Sequence, residues 1–293
     1  VMGTWMTKAL AVTPQIITSV ILWMMVPLLQ PPPVMAALML AGMVITLVLL
    51  TGAGESLAAW VLTVSRPARA WELEVLAPAL TVLSRAGLGP PLYRIRVRRS
   101  RIQGTLAFGR RTVVVSTALV NALADRRIPH DQGAALIGHA AALVRSGRMR
   151  NDPAIVFLTL PWQFLHLVVA LISGTGRGLP LASVAWLGRF VIVTVAVVQN
   201  IHEGLPWVAA LIGAIGALSY LIPYWARRWE RSCTEAADQA LIDAGLANAW
   251  VAYLSPLPRT PHLRRRLLRL QPPTAAPIGL IATSRVGTAQ PGR

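Results

Sequence analysis

Lysine is nearly missing from this chain: Lys8 is the only one among 28 basic residues. Acidic residues are few as well, 11 against those 28, so the net charge of +17 is carried by arginine. That skew points to a GC-rich bacterial genome, and Val1 before Met2 fits a GTG start codon read literally. One cysteine, Cys233, excludes an intrachain disulfide and with it a disulfide-stapled secreted fold. Charged residues make up 13% of the chain, against roughly 25% in soluble domains. No phosphate-cradling loop, dinucleotide fingerprint or Ser-His-Asp grouping stands out. The stretch Gly174-Thr175-Gly176-Arg177-Gly178 has the glycines of a P-loop but neither its Gly-Lys-Ser/Thr nor a preceding strand.

What the chain does have is long apolar sequence, with a mean hydropathy of +0.56. Residues 10–29 and 34–50 are nearly continuous apolar runs separated by Gln30-Pro31-Pro32-Pro33, a turn short enough only for a hairpin. A helix crosses the bilayer core with about 20 residues. The first run exceeds the apolar part of a signal peptide, about 7–15 residues, so residues 1–54 are expected to form an anchored transmembrane hairpin. Three further runs, 153–172, 181–199 and 205–224, predict a second transmembrane region over 153–225. Arg189 in the middle run makes 181–199 a tilted, interfacial or re-entrant piece, because a central arginine is costly in lipid. Segment 55–152 holds 15 arginines and 226–293 holds 10, which places both on the cytoplasmic side by the positive-inside rule. The expectation is a predominantly α, polytopic protein of the bacterial inner membrane, with transmembrane helices plus a small cytoplasmic α/β domain.

Within 55–152, helical sequence over 55–86 is interrupted at Pro67. Tyr93 to Arg98 alternates strictly, the pattern of a half-buried strand with Arg94, Arg96 and Arg98 on one face. Thr112 to Ser116 predicts a second strand and Thr117 to Ala124 a helix. A polar loop, Asp125 to Gln132, leads into a helix over 134–147. Beyond the last apolar run, Trp225 to Ala244 reads as one long helix inside a cytoplasmic segment 226–254. Residues 255–293 read as a basic, flexible tail containing the amphipathic stretch Leu263 to Leu270.

The helix over 134–147 carries Ile137-Gly138-His139-Ala140-Ala141-Ala142-Leu143. A zinc peptidase helix has His-Glu-x-x-His, with two metal ligands one turn apart and the general base between them. Ile137-Gly138-His139 resembles the run-in to that helix in the HtpX-like membrane metallopeptidases, which include the CAAX prenyl proteases. Leu106 to Val115 resembles that family's stretch running into an edge strand, and Thr117-Ala118-Leu119-Val120 the helix start after it. Gly147 and Asp152 resemble the residues following the zinc helix, and Ala237-Asp238 the end of the distal Glu-x-x-Ala-Asp motif. The resemblance spans roughly residues 10–245 and implies a zinc endopeptidase fold, but the chemistry is gone from three positions. Ala140 stands at the base, Leu143 at the second ligand and Thr234 at the third, with Glu235 one residue, about 100°, out of place. The resemblance therefore implies a degenerate member: catalytic residues none, cofactor none, and a role in binding or assembling other membrane proteins.

Other readings stay open. An active but rewired zinc site would use His139, Glu235 and a loop histidine, His130 or His202. A purely structural subunit of a membrane complex would not use the cleft at all. His139 is otherwise a histidine hydrogen-bonded in a core. His166 lies in an apolar run, where a polar group is functional or bonded to a neighbouring helix. His202-Glu203 reads as a solvated loop. Arg94, Arg96, Arg98 and the cluster Arg264, Arg265, Arg266 and Arg269 present cations that nucleic acid or lipid could take up. Anionic lipid headgroups are favoured for the cluster over nucleic acid, at about 1 kcal/mol per basic residue near the surface.

Overall fold

Val113, Val114 and Val115 are fully buried at the centre of a mixed four-stranded sheet, as expected for a β-branched run covered on both faces. The computed structural model describes residues 3–28, 31–90, 93–161, 163–164, 167–168, 181–258 and 260–270. The strands are β1 (Ser65–Pro67), β2 (Arg94–Arg98), β3 (Thr105–Phe108) and β4 (Thr112–Ser116), in the order β1-β2-β4-β3. β2 runs parallel to β4, with Ile95 opposite Val113 and Val97 opposite Val115. β3 and β1 are antiparallel edges. β1 replaces the simple helix break predicted at Pro67; proline lacks the N–H a ladder needs and is tolerated at an edge. The basic face read for β2 is also corrected. Arg94 and Arg98 are exposed, but Arg96 is buried, donating to Ser65 O and to the hydroxyls of Ser65 and Ser56.

The β3–β4 turn is fixed by one carboxylate. Glu55, at the start of α3 (Glu55–Thr63), accepts hydrogen bonds from Arg110 N, Arg111 N and the Thr112 hydroxyl. Gly109 adopts φ +68°, and a side chain there would meet the Glu55 carboxyl within 3 Å. The turn and the chain leaving α2 (Pro32–Thr51) are thus tied together.

Three helices cover the sheet: α4 (Ala70–Arg85), α5 (Thr117–Ala124) and α6 (His130–Arg145). α5 has the bounds the sequence predicts, and the Ser116 hydroxyl caps it by accepting from Leu119 N. α6 starts at His130, four residues earlier than predicted, because Pro129 sets the first turn at φ −59°. Leu76, Leu83, Leu119, Leu123, Ile137 and Leu241 form the centre of the main core. α6 also touches edge strand β3, where the Thr105 hydroxyl donates to Leu136 O.

The remaining helices are α1 (Thr4–Leu28), α2, α7 (Asp152–Leu158), α8 (Leu181–His202), α9 (Pro206–Asp243), α10 (Ala247–Leu254) and α11 (Pro261–Leu270). The polytopic expectation is corrected here. Among the described residues, one helix, Pro32–Thr51, is long and apolar enough to cross a membrane. In α8, Val193–His202 is apolar but short. α9 runs unbroken from its apolar half into Arg227, Arg228, Glu230 and Arg231. α1 packs along α9, and its Lys8 pairs with Asp152 at the start of α7. The expected flexible tail is corrected as well: up to Leu270 it is helix α11, with Leu270 buried and Leu263 and Leu267 packed on the core. His166 and residues 271–293 lie outside the described residues.

Candidate functional site

α6 and α9 pack closely enough to bring His139 and Asp238 side by side. Gly138 permits it: a methyl group there would sit 2.8 Å from a Leu83 methyl and 3.1 Å from one of Leu241. Asp238 is 8% exposed. An isolated buried carboxylate is strongly unfavourable, so its partners define the site.

The main partner is Arg266. Its guanidinium grips Asp238 with two bonds, Nε to Oδ2 at 2.7 Å and Nη2 to Oδ1 at 2.6 Å. Trp250 Nε1 donates to Oδ1 at 2.9 Å. Arg266 also lies over the Trp250 ring, 5.1 Å from its centre, and His139 flanks the same ring at 5.1 Å. Burial opposes the charge on Asp238; the contacts from His139, Arg266 and Trp250 outweigh it and bring the carboxyl down to about 2.

His139 Nε2 lies 3.0 Å from Arg266 Nη2 and 3.5 Å from Asp238 Oδ1. A guanidinium only donates, so the nearer contact makes Nε2 the acceptor and puts the ring proton on Nδ1. The same nitrogen faces Asp238 Oδ1, so His139 bonds the carboxylate, and helps to lower it, only in the tautomer that carries the proton on Nε2 instead. One guanidinium nitrogen bridges the imidazole and the carboxylate, where a shared cation would otherwise sit.

These residues do not fit a zinc ion. Catalytic zinc takes three protein ligands and an open position. Here His139 and Asp238 offer two donors, both turned to Arg266. Ala140 is buried in the core and Leu143 packs against it, so the base and second-ligand positions present only hydrocarbon. Thr234 is half-buried on α9. Glu235 is half-exposed and paired with Arg269 at 2.6 Å. His130 is exposed in the first turn of α6 and His202 exposed at the end of α8. Among the described residues, no three His, Cys, Asp or Glu side chains are grouped to hold a metal. Of the charged pair, Asp238 is too weak a base near neutral pH, and Arg266 gives up no proton there.

The cluster read as a lipid contact thus divides. Arg264 and Arg265 are exposed, Arg269 pairs with Glu235, and Arg266 points inward, its side chain 16% exposed. One signal foretold this: Arg266 shares a helical face with Leu263, Leu267 and Leu270, so a charge on an apolar stripe required a buried partner. Trp250 carried no comparable signal.

Compared with known protein families, characterised proteins and solved structures, the chain matches none.

Proposed function

We propose that this chain is a membrane-anchored pseudopeptidase: an HtpX-like scaffold of the bacterial cytoplasmic membrane, held by α2, that binds or assembles other membrane proteins without hydrolysing them. The observation that carries the reading is the Arg266 guanidinium lodged between His139 and Asp238. The hydrocarbon at Ala140 and Leu143 supports it. A mixed sheet with an antiparallel edge strand beside the helix bearing His139 is compatible with the resemblance. Against a rewired zinc protease, Glu235 is committed to Arg269 and the cation position is already taken by a side chain.

Elemental analysis of the full chain, purified in mild detergent without chelator beside a His139→Ala variant, tests this. Neither protein is expected to carry stoichiometric zinc. About one zinc per chain, lost in the variant and accompanied by chelator-sensitive proteolysis, would overturn the reading in favour of a rewired enzyme.

A further inference from the structure

Beside the last turn of α2 lies a cavity of about 460 Å³ whose walls include Lys8, Arg110, Arg148, Arg150 and Trp229. Four cations converge there from three separate pieces of chain: Lys8 from α1, Arg110 from the β3–β4 turn, and Arg148 and Arg150 from the segment after α6. Lys8 is satisfied by Asp152 and Arg148 O and lies over the Trp229 ring. Arg148 Nη1 donates to Ser232. Among the described residues, none of Arg110, Arg148 and Arg150 is ion-paired, so one carboxylate serves four cations.

Arg110 is the informative member. Its Nη2 donates to Leu50 O, covering the negative carbonyl end of α2 that would otherwise repel an anion. Its Nε is buried and has no hydrogen-bond partner. Buried donors are nearly always satisfied, and an orphan of this kind marks a missing acceptor.

We propose that this cavity binds a phosphate-bearing anion, received by the guanidinium groups of Arg110, Arg150 and Arg148 that line it. Arginine's planar fork suits phosphoryl oxygens. Two sources share that chemistry: an anionic phospholipid headgroup and a soluble phosphate. The position at the end of α2 favours the headgroup, and that choice of source rests on α2 being the membrane anchor; recognition of the phosphoryl group does not.

The test uses the full chain in mild non-ionic detergent. It is titrated with phosphatidylglycerol, phosphatidylcholine and sodium phosphate, with retained lipid read by native mass spectrometry and phosphate by calorimetry. Phosphatidylglycerol is expected to be retained over phosphatidylcholine, and Arg110→Gln and Arg150→Gln each to weaken it about fivefold. Arg150 is exposed and, among the described residues, makes no side-chain hydrogen bond, so its variant tests the site without a folding defect. Arg99→Gln removes the same charge at the far end of the sheet and is expected to bind as the parent does. Retained lipid identifies a headgroup; phosphate binding without retained lipid, lost in Arg150→Gln, identifies a soluble phosphate, and either sustains the cavity. Binding of neither probe, undiminished binding by Arg150→Gln, or equal loss in Arg99→Gln overturns it. Carbonate extraction of membranes reports on the anchor separately: release of the chain would remove the anchor and leave the phosphate titration still decisive for the cavity.

Discussion

Arg266 and Arg110 are both drawn into the body of this protein, and they meet opposite surroundings. Arg266 has a matched carboxylate. It holds Asp238 with two bonds, donates to His139 and stacks on Trp250. The Arg110 guanidinium is less well matched: one bond to a helix-end carbonyl, a buried Nε with nothing to receive it, and no ion pair among the described residues. In a chain with 28 basic and 11 acidic residues, carboxylates are the scarce partner, and where they are placed separates structural arginines from those left for a ligand. The site that resembles a catalytic centre is internally closed. The open chemistry lies elsewhere.

The contrast breaks most readily at Arg266. Arg266→Ala leaves Asp238 buried and unpaired, a change worth roughly 3–5 kcal/mol. The expected result is an unfolding midpoint lower by about 10 °C in thermal denaturation. Arg266→Met combined with Asp238→Asn is expected to recover most of that loss, because it removes both charges together. An Arg266→Ala protein as stable as the parent would mean that the site is not closed by this pair.

Acid titration probes the same centre from the carboxylate side. The Asp238 carboxyl sits at about 2 in the folded chain, below its ordinary 3.8. A lowered folded value stabilises the protein above the unfolded value. That contribution is therefore whole above pH 3.8 and disappears as pH falls through about 2. It amounts to about 2 kcal/mol. Denaturant unfolding between pH 5 and pH 2 is expected to show this loss in the parent and not in Asp238→Asn.

How much of this was legible in the sequence depends on whether the deciding contact is local. Helix α5 was legible to the residue, because Ser116 caps it and Asp125 ends it within one short segment. The alternation of Tyr93 to Arg98 located β2, which begins one residue later, at Arg94. That His139 sits on one helix and Asp238 on another was legible too. The buried cluster around Asp238 was not. Arg266 is 127 residues from His139 and 28 from Asp238, in a basic amphipathic stretch that read as a contact for lipid headgroups. The polytopic reading failed for a related reason: hydropathy counts apolar residues without showing which runs are carried into charged helix, as α9 is. Arg110 was visible only as a basic residue before a strand, since the cavity around it is assembled from α1, the β3–β4 turn and the segment after α6.

A finer cut within the closed site is Trp250→Phe. It keeps an aromatic face under Arg266 and beside His139, and removes only the Nε1 donor to Asp238. Losing a buried hydrogen bond to a charged group is expected to lower stability by about 1–2 kcal/mol, read by denaturant unfolding. A loss as large as that of Arg266→Ala would place the indole, not the guanidinium, at the centre of the cluster.

The smallest effect belongs to Arg110, and its smallness is what the comparison requires. Arg110→Gln gives up an exposed bond to Leu50 O but also removes a buried donor without an acceptor. These terms oppose one another, so stability without ligand is expected to change by about 0.5 kcal/mol or less. Adding phosphatidylglycerol separates the two proteins. A ligand that binds only the folded state raises stability with concentration, by about 2.7 kcal/mol at a hundredfold excess over Kd. The parent is expected to gain in this way and Arg110→Gln to gain less at equal lipid. Arg266→Ala, which leaves the cavity intact, is expected to gain as much as the parent from its lower starting point. If Arg110→Gln were instead as destabilised as Arg266→Ala with no lipid present, Arg110 would be a structural residue whose partner is already in place, and the distinction between the two arginines would collapse.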